Sequence, residues 1–160
     1  MPFPAVFLCL LAAGSALAQH EGWTTTPVPQ EGGWKGASGF GWYRAYVKIP
    51  REWQGSRLLL VVDTISDVDE AFFNGAKVGA NGSMPPLFGK PSSNIRRPFV
   101  IEPDQIRFGK ANLIAWRVFN KEGKGGILKG PLHLTRINDA IDLTGQWLFR
   151  RGDVPSWAHW

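Results

Sequence analysis

Apolar runs of strand length recur along this chain, and Gly or Pro interrupts every stretch long enough for several helical turns. In residues 42–49 (WYRAYVKI), Tyr43, Ala45, Val47 and Ile49 share one face, and Trp42, Arg44, Tyr46 and Lys48 share the other. Pro50 stops the run. In residues 112–119, Ile114, Trp116 and Val118 oppose Leu113, Ala115, Arg117 and Phe119. A period of two with one apolar face predicts antiparallel strands half-buried in a sheet, and it puts Trp116 in the core. Further strands are predicted over 58–63 (LLLVVD), 71–73, 77–78, 98–101 and 132–136. Asn74-Gly75 separates two of them, and Asn-Gly is a strong hairpin signal because a type I′ turn needs positive φ at both central residues. Many short strands punctuated by turns predict an all-β antiparallel sandwich or jelly roll.

Two stretches lack periodicity and are predicted as long loops. Residues 79–94 (GANGSMPPLFGKPSSN) form one, and residues 121–130 (KEGKGGILKG) the other. Loops at the ends of a rigid sandwich are where binding groups usually sit.

The N-terminus carries a different pattern. Residues 1–18 (MPFPAVFLCLLAAGSALA) contain no charged side chain, and an apolar run leads to the small-x-small sequence Ala16-Leu17-Ala18. This predicts a signal peptide cleaved after Ala18, and hence a secreted or periplasmic protein. The run is too short for the roughly 20 residues that span a bilayer, so no membrane attachment is expected after cleavage. The single cysteine, Cys9, falls inside that segment. The mature chain then has no thiol, which excludes disulfides, a cysteine nucleophile and thiolate metal sites. Residues 19–140 are expected to form one sandwich, followed by a C-terminal strand and tail over 141–160.

The formal net charge is +5, but Lys and Arg are dispersed, and the densest pairs are Arg96-Arg97 and Arg150-Arg151. No strand carries a basic stripe, so nucleic acid is not an expected partner. Eight tryptophans in 160 residues are more unusual.

The series GWYRAYVKIP, LLLVVDTISDVDEAFFNGAKVG and NLIAWRVFNKEGKGGILKGPLHL resembles the sugar-binding β-sandwich of glycoside hydrolase family 2. It is similar above all to the version attached to secreted bacterial β-galactosidase-like and sialate O-acetylesterase-like proteins. The matching pieces are Trp42-Tyr43-Arg44, the acidic stretch 67–75 ending in the hairpin, residues 114–118, and the Gly-rich loop 123–131. Together they cover about residues 23–136. The resemblance implies a galactose-binding-like jelly roll that serves as an accessory module beside a catalytic domain. It also implies a carbohydrate ligand. In similar multidomain proteins, a Leu-x-Gly-x-Trp strand and an Arg-x-Gly-Asp stretch open the next segment, as in residues 143–153 here. The chain is therefore expected to be such a module, the N-terminal piece of an active glycosidase or sialate O-acetylesterase whose catalytic domain is missing, or a purely structural β-sandwich.

A catalytic constellation is not legible in these residues. Glycoside hydrolysis generally uses two carboxylates across a cleft. Asp63, Asp67, Asp69 and Glu70 cluster in sequence, but their place ahead of the Asn74-Gly75 hairpin predicts that they bond turn backbone. The resemblance implies that the catalytic glutamates reside in a separate barrel, and about 250 residues are needed to build one. No Gly-x-Ser-x-Gly elbow occurs, Gly152-Asp153 is followed by Val154, and the internal histidine, His133, reads as a strand surface residue. No cofactor is expected. Calcium is the one metal left open, through Asp67, Asp69 and loop carbonyls, without the spacing of an EF-hand.

Sugar binding remains. Sugars stack C–H faces on aromatic rings and pair hydroxyls with polar groups. Trp34, Trp42, Tyr46 and Trp53 are candidate platforms, and Arg44, Glu70 and Asn120 are candidate polar partners. The competing place for each tryptophan is the core or a domain interface, since large aromatics dominate both.

Overall fold

A computed structural model describes residues 21–34, 38–91 and 98–160. The predicted signal segment lies outside them. Ten strands are described: β1 (Thr24–Val28), β2 (Gly39–Lys48), β3 (Leu58–Ser66), β4 (Val68–Phe73), β5 (Ala76–Asn81), β6 (Phe99–Ile101), β7 (Ala111–Asn120), β8 (Gly126–Arg136), β9 (Asp139–Asp142) and β10 (Gly145–Arg151). They form a six-stranded sheet ordered β1-β10-β2-β7-β4-β5 and a four-stranded sheet ordered β6-β3-β8-β9. Every pairing is antiparallel. The chain passes between sheets after β2, β3, β5, β6, β7 and β9, the alternation of a jelly-roll sandwich. The all-β sandwich expected from the sequence is the fold observed.

The alternation read from the sequence sets the inner face. Tyr43, Ala45 and Val47 of β2, Ile114, Trp116 and Val118 of β7, and Ala71 and Phe73 of β4 line one wall. Leu58, Leu60 and Val62 of β3 and Ile127, Leu132 and Leu134 of β8 line the other. Trp116 is fully buried, as expected. A buried tryptophan or phenylalanine of this kind is worth about 3–5 kcal/mol against alanine.

The hairpin forms where Asn-Gly predicts it. Asn74 and Gly75 both take positive φ, at 50° and 89°. The Asn74 side chain also ties the turn to the sheet, donating to Gln105 O and accepting from the Leu113 N–H.

Three expectations need correction. First, residues 121–130 are only half loop, because β8 begins at Gly126. Glycine reads as loop in a sequence, but here it makes room. A Cβ on Gly125 would sit 2.2 Å from the Trp34 ring, and one on Gly126 would sit 2.4 Å from the Tyr43 hydroxyl. Second, the loop expected at 79–94 begins as strand, since β5 runs to Asn81, and a Ser83–Gly89 bridge folds part of the remainder. Residues 92–94 lie outside the described residues. Third, β2 is buried on both faces rather than one. A second apolar cluster of Trp42, Ala115 and Ala158, with Trp23, Phe72 and Trp157 against it, covers the outer face of the large sheet.

That cover comes from the C-terminal stretch. Within 141–160, β10 inserts between β1 and β2, and Trp147 enters the core. The chain then crosses the outer face through a 3-10 turn at Pro155–Ala158.

Candidate functional site

The long loops meet at one end of the sandwich, around the β3–β4 junction and the end of β7. Asp67 stands at that junction. One of its carboxylate oxygens accepts the backbone N–H of Lys121 at 2.9 Å. The other accepts the Ser66 hydroxyl at 3.1 Å and pairs with Lys90 Nζ at 3.1 Å. Burial works to raise its pKa, but the Lys121 N–H, Lys90 and Ser66 together hold it below the ordinary carboxylate range. The pairing ties the loop after β5 and the loop after β7 to one carboxylate.

Beside it lies an aromatic cluster that the sequence did not single out. Phe40 and Phe119 face each other across β2 and β7 with ring centroids 4.8 Å apart. Phe88, from the loop after β5, meets Phe119 edge-on at 5.5 Å. All three rings are partly exposed. Lys121 Nζ lies over Phe88 and Arg117 over Phe40, both at cation–π distance. The available signal was parity: Phe40 shares the outer face with Trp42, and Phe119 shares it with Arg117.

Arg117 organises the charges next to these rings. Its guanidinium pairs with both oxygens of Asp153, at 2.8 and 2.7 Å, and with Glu70 at 2.9 Å. Glu70 also pairs with Lys77. Burial favours the neutral form of Glu70, but Lys77 and Arg117 outweigh it and hold its pKa down. Burial likewise opposes the charge on Arg117, and Asp153 and Glu70 outweigh it and raise its pKa.

The acidic stretch is therefore used differently from the turn-bonding expected. Asp67 captures a loop N–H and a lysine, and Glu70 sits in an ion-pair network. Asp69 is buried and accepts the Trp116 indole N–H at 2.8 Å. Asp63 is exposed on β3 and accepts from Thr64. Within the stretch 67–75 it is the Asn74 side chain that serves the hairpin. Asp67 and Asp69, the two side chains open to calcium, are thus engaged by protein donors.

The predicted sugar-binding residues divide by location. Trp42, Arg44, Tyr46 and Glu70 share the outer face of the large sheet. Asn120 caps the end of β7, donating to Gly123 O at 3.1 Å. Trp34 packs between Gly41 and Gly125, under Arg151. Trp53 lies in the core at the other end of the molecule, with Arg136 over its ring. Trp34, Trp42 and Trp53 are each at most 6% exposed, so none offers a ring face to a sugar in this conformation. They occupy the competing place named for them, the core. Tyr46 and Glu70 are partly exposed.

Arg44 is buried without a carboxylate partner among the described residues. It donates to the Tyr46 hydroxyl at 3.2 Å and to the His159 carbonyl at 2.9 Å, with Trp23 and Tyr46 along its guanidinium. Burial lowers its pKa, and Tyr46 partly offsets this.

The strands and this loop-end arrangement define a two-sheet jelly-roll sandwich with an aromatic and charged rim between its long loops. A beta-glucuronidase from Formosa agariphila is 27% identical, over 72% of this chain and 13% of that protein. This agrees with the resemblance to glycoside hydrolase family 2 carried by the sequence motifs. The chain spans about an eighth of that relative's length. No family model matches the chain. Among solved structures, a glycosyl hydrolase family 2 member from Bacteroides cellulosilyticus is 22% identical with a TM-score of 0.43, over 69% of this chain and 12% of that one. A putative beta-galactosidase from Bacteroides fragilis is 20% identical with a TM-score of 0.42, over 75% and 16%.

Proposed function

We propose that this chain is a non-catalytic carbohydrate-binding or accessory sandwich of an exported glycoside hydrolase family 2-like enzyme. The observation that carries the reading is the 27% identity to a beta-glucuronidase of which the chain spans only 13%. The rim supports it. Half-exposed phenylalanine rings can take the apolar face of a sugar, while Lys121 and Lys90 offer donors to its hydroxyls. Two carboxylates of the rim, Asp67 and Glu70, are held ionised, Asp67 by the Lys121 N–H and Lys90 and Glu70 by Lys77 and Arg117, which suits hydrogen-bond acceptance and positioning rather than proton donation. Export rests on the signal-like form of residues 1–18. The partner would be an adjacent catalytic domain of the same protein.

A second reading is that the chain is a piece of an active glycosidase or carbohydrate esterase whose catalytic residues lie elsewhere in the protein. The same share of the relative's length favours it. Assaying the purified chain on chromogenic β-glucuronides, β-galactosides and acetyl esters tests the non-catalytic assignment. No turnover is expected from these 160 residues. Turnover above the rate of a heat-unfolded control overturns the non-catalytic assignment.

A further inference from the structure

A second polar and aromatic site lies away from the rim. The β10–β2 pairing stops at Leu148–Arg44, while β2 continues to Lys48. Beyond Arg44, β10 diverges from β2 and pairs only with β1. The backbone edge of β2 is left without a strand on that side, among the described residues. A notch of about 210 Å³ opens in the gap. Ala45, Val47 and Trp147 contribute apolar lining, and Tyr46, Asp142 and Gln146 contribute polar groups.

Asp142 and Gln146 have unused hydrogen-bonding capacity. Each Asp142 oxygen accepts one bond from Thr144, from the backbone N–H and from the hydroxyl, both at 2.9 Å. A carboxylate has about four acceptor positions, so lone pairs remain. The Gln146 side chain is exposed and has no hydrogen-bond partner among the described residues. Tyr46 is held in place by the bond from Arg44. Its ring meets Trp160, which is 43% exposed, at 5.3 Å, and Arg107 lies over the far aromatic at 4.8 Å. The notch is thus continuous, through Tyr46, with an exposed aromatic shelf.

We propose that this notch and its Tyr46–Trp160 shelf form a carbohydrate subsite for a single neutral pyranose ring. The inference rests on the carbohydrate-binding reading and locates a site for it. The volume falls below the roughly 300–1,000 Å³ of drug-sized ligand pockets, which suits one ring rather than a chain. The Tyr46–Trp160 shelf takes the C–H face of a sugar, and Ala45, Val47 and Trp147, each at most 6% exposed, form the closed floor behind it. A carboxylate and a primary amide bind neighbouring hydroxyls, one as acceptor and the other as both donor and acceptor. Asp142 also sets the charge preference, since a uronate carboxylate would meet a like charge there. Tyr46 stands six residues along β2 from Phe40, about 20 Å from the rim at strand rise. The two sites are separate.

Calorimetric titration and two-dimensional NMR of the full chain with glucose, galactose, N-acetylglucosamine and glucuronate test the proposal. A neutral sugar is expected to shift the Trp160 indole and Gln146 amide signals and to bind more tightly than glucuronate. Trp160→Ala and Gln146→Ala are each expected to weaken Kd about tenfold, the loss of roughly one good contact. Both positions are on the surface, so the variants should fold. Shifts confined to Asp67, Phe88 and Lys121 overturn the notch and leave the carbohydrate reading standing. An unchanged Kd in both variants has the same meaning. No response to any of these sugars overturns both the notch and the carbohydrate-binding reading.

Discussion

In the middle of the sandwich, the Trp116 indole N–H donates to the Asp69 carboxylate at 2.8 Å, with both residues essentially inaccessible to water. Trp116 belongs to β7 and Asp69 to β4, neighbouring strands of the large sheet. The bond satisfies a large aromatic that would otherwise bury an unpaired donor. Asp69→Leu removes the acceptor and is expected to cost about 1–3 kcal/mol. Asp69→Asn keeps an acceptor and should lose less. Urea unfolding of the two variants checks the order, and equal losses would remove Asp69 from this role.

Acid should weaken the loop end first. The pKa values of Asp67 and Glu70 are lowered in the folded state. A carboxylate with a lowered folded pKa stabilises the protein above its unfolded pKa, about 4, and that contribution is lost as pH falls through the folded value. Stability from these pairs is therefore full at neutral pH and declines below about pH 4. Urea midpoints measured between pH 6 and pH 3 should fall less steeply for Asp67→Asn than for the unmodified chain. Parallel curves would contradict the assignment.

The glycines of the β8 entry are packing positions. Gly125→Ala would drive a methyl to 2.2 Å from the Trp34 ring. Overpacking of this kind typically costs about 1–3 kcal/mol. By contrast, Gly123→Ala places its Cβ in open space and is strained only by its φ of +77°. Thermal unfolding of both should show the larger loss at Gly125, together with a shift of the Trp34 indole resonance in that variant alone.

Arg44 offers a test of opposite sign. It is a buried cation with aromatic and carbonyl neighbours and no carboxylate among the described residues. Desolvating such a charge offsets most of what its hydrogen bonds contribute, and apolar replacements of buried charges are often neutral. Arg44→Met should stay within about 1 kcal/mol of the unmodified chain in urea. Trp157→Ala, which removes the cover over Trp42, should be the more damaging change and should raise acrylamide quenching of tryptophan fluorescence. A loss at Arg44→Met above that of Trp157→Ala would contradict this account.

The inner wall of the sandwich was legible because it depends on local alternation. Tyr43, Ala45, Val47, Ile114, Trp116 and Val118 point inward for a reason contained in the strand repeat itself. The Asn74-Gly75 hairpin was legible for the same reason, since φ preference is a property of the residues at the turn. The family resemblance was legible as ordered motifs. The rim was only half visible: Glu70 and Asn120 stood out, while Phe40, Phe88, Phe119 and Lys121 did not, because loops far apart in sequence bring them together.

What the sequence by itself determined was the all-β class, the inward faces of β2 and β7 and the hairpin, since these follow from backbone geometry and the spacing of apolar residues. Only the tertiary structure decided which tryptophans are hidden. Trp42 lies on the face that alternation alone leaves open, and it is buried because residues 155–158 cross over it. The acidic residues were decided in the same way. Asp67, Asp69 and Glu70 are neighbours in sequence, but strand alternation and long-range pairing send one to a loop amide, one to a core indole and one to an arginine on β7. Local pattern states which side a residue faces, and only chain-distant packing states what it meets there.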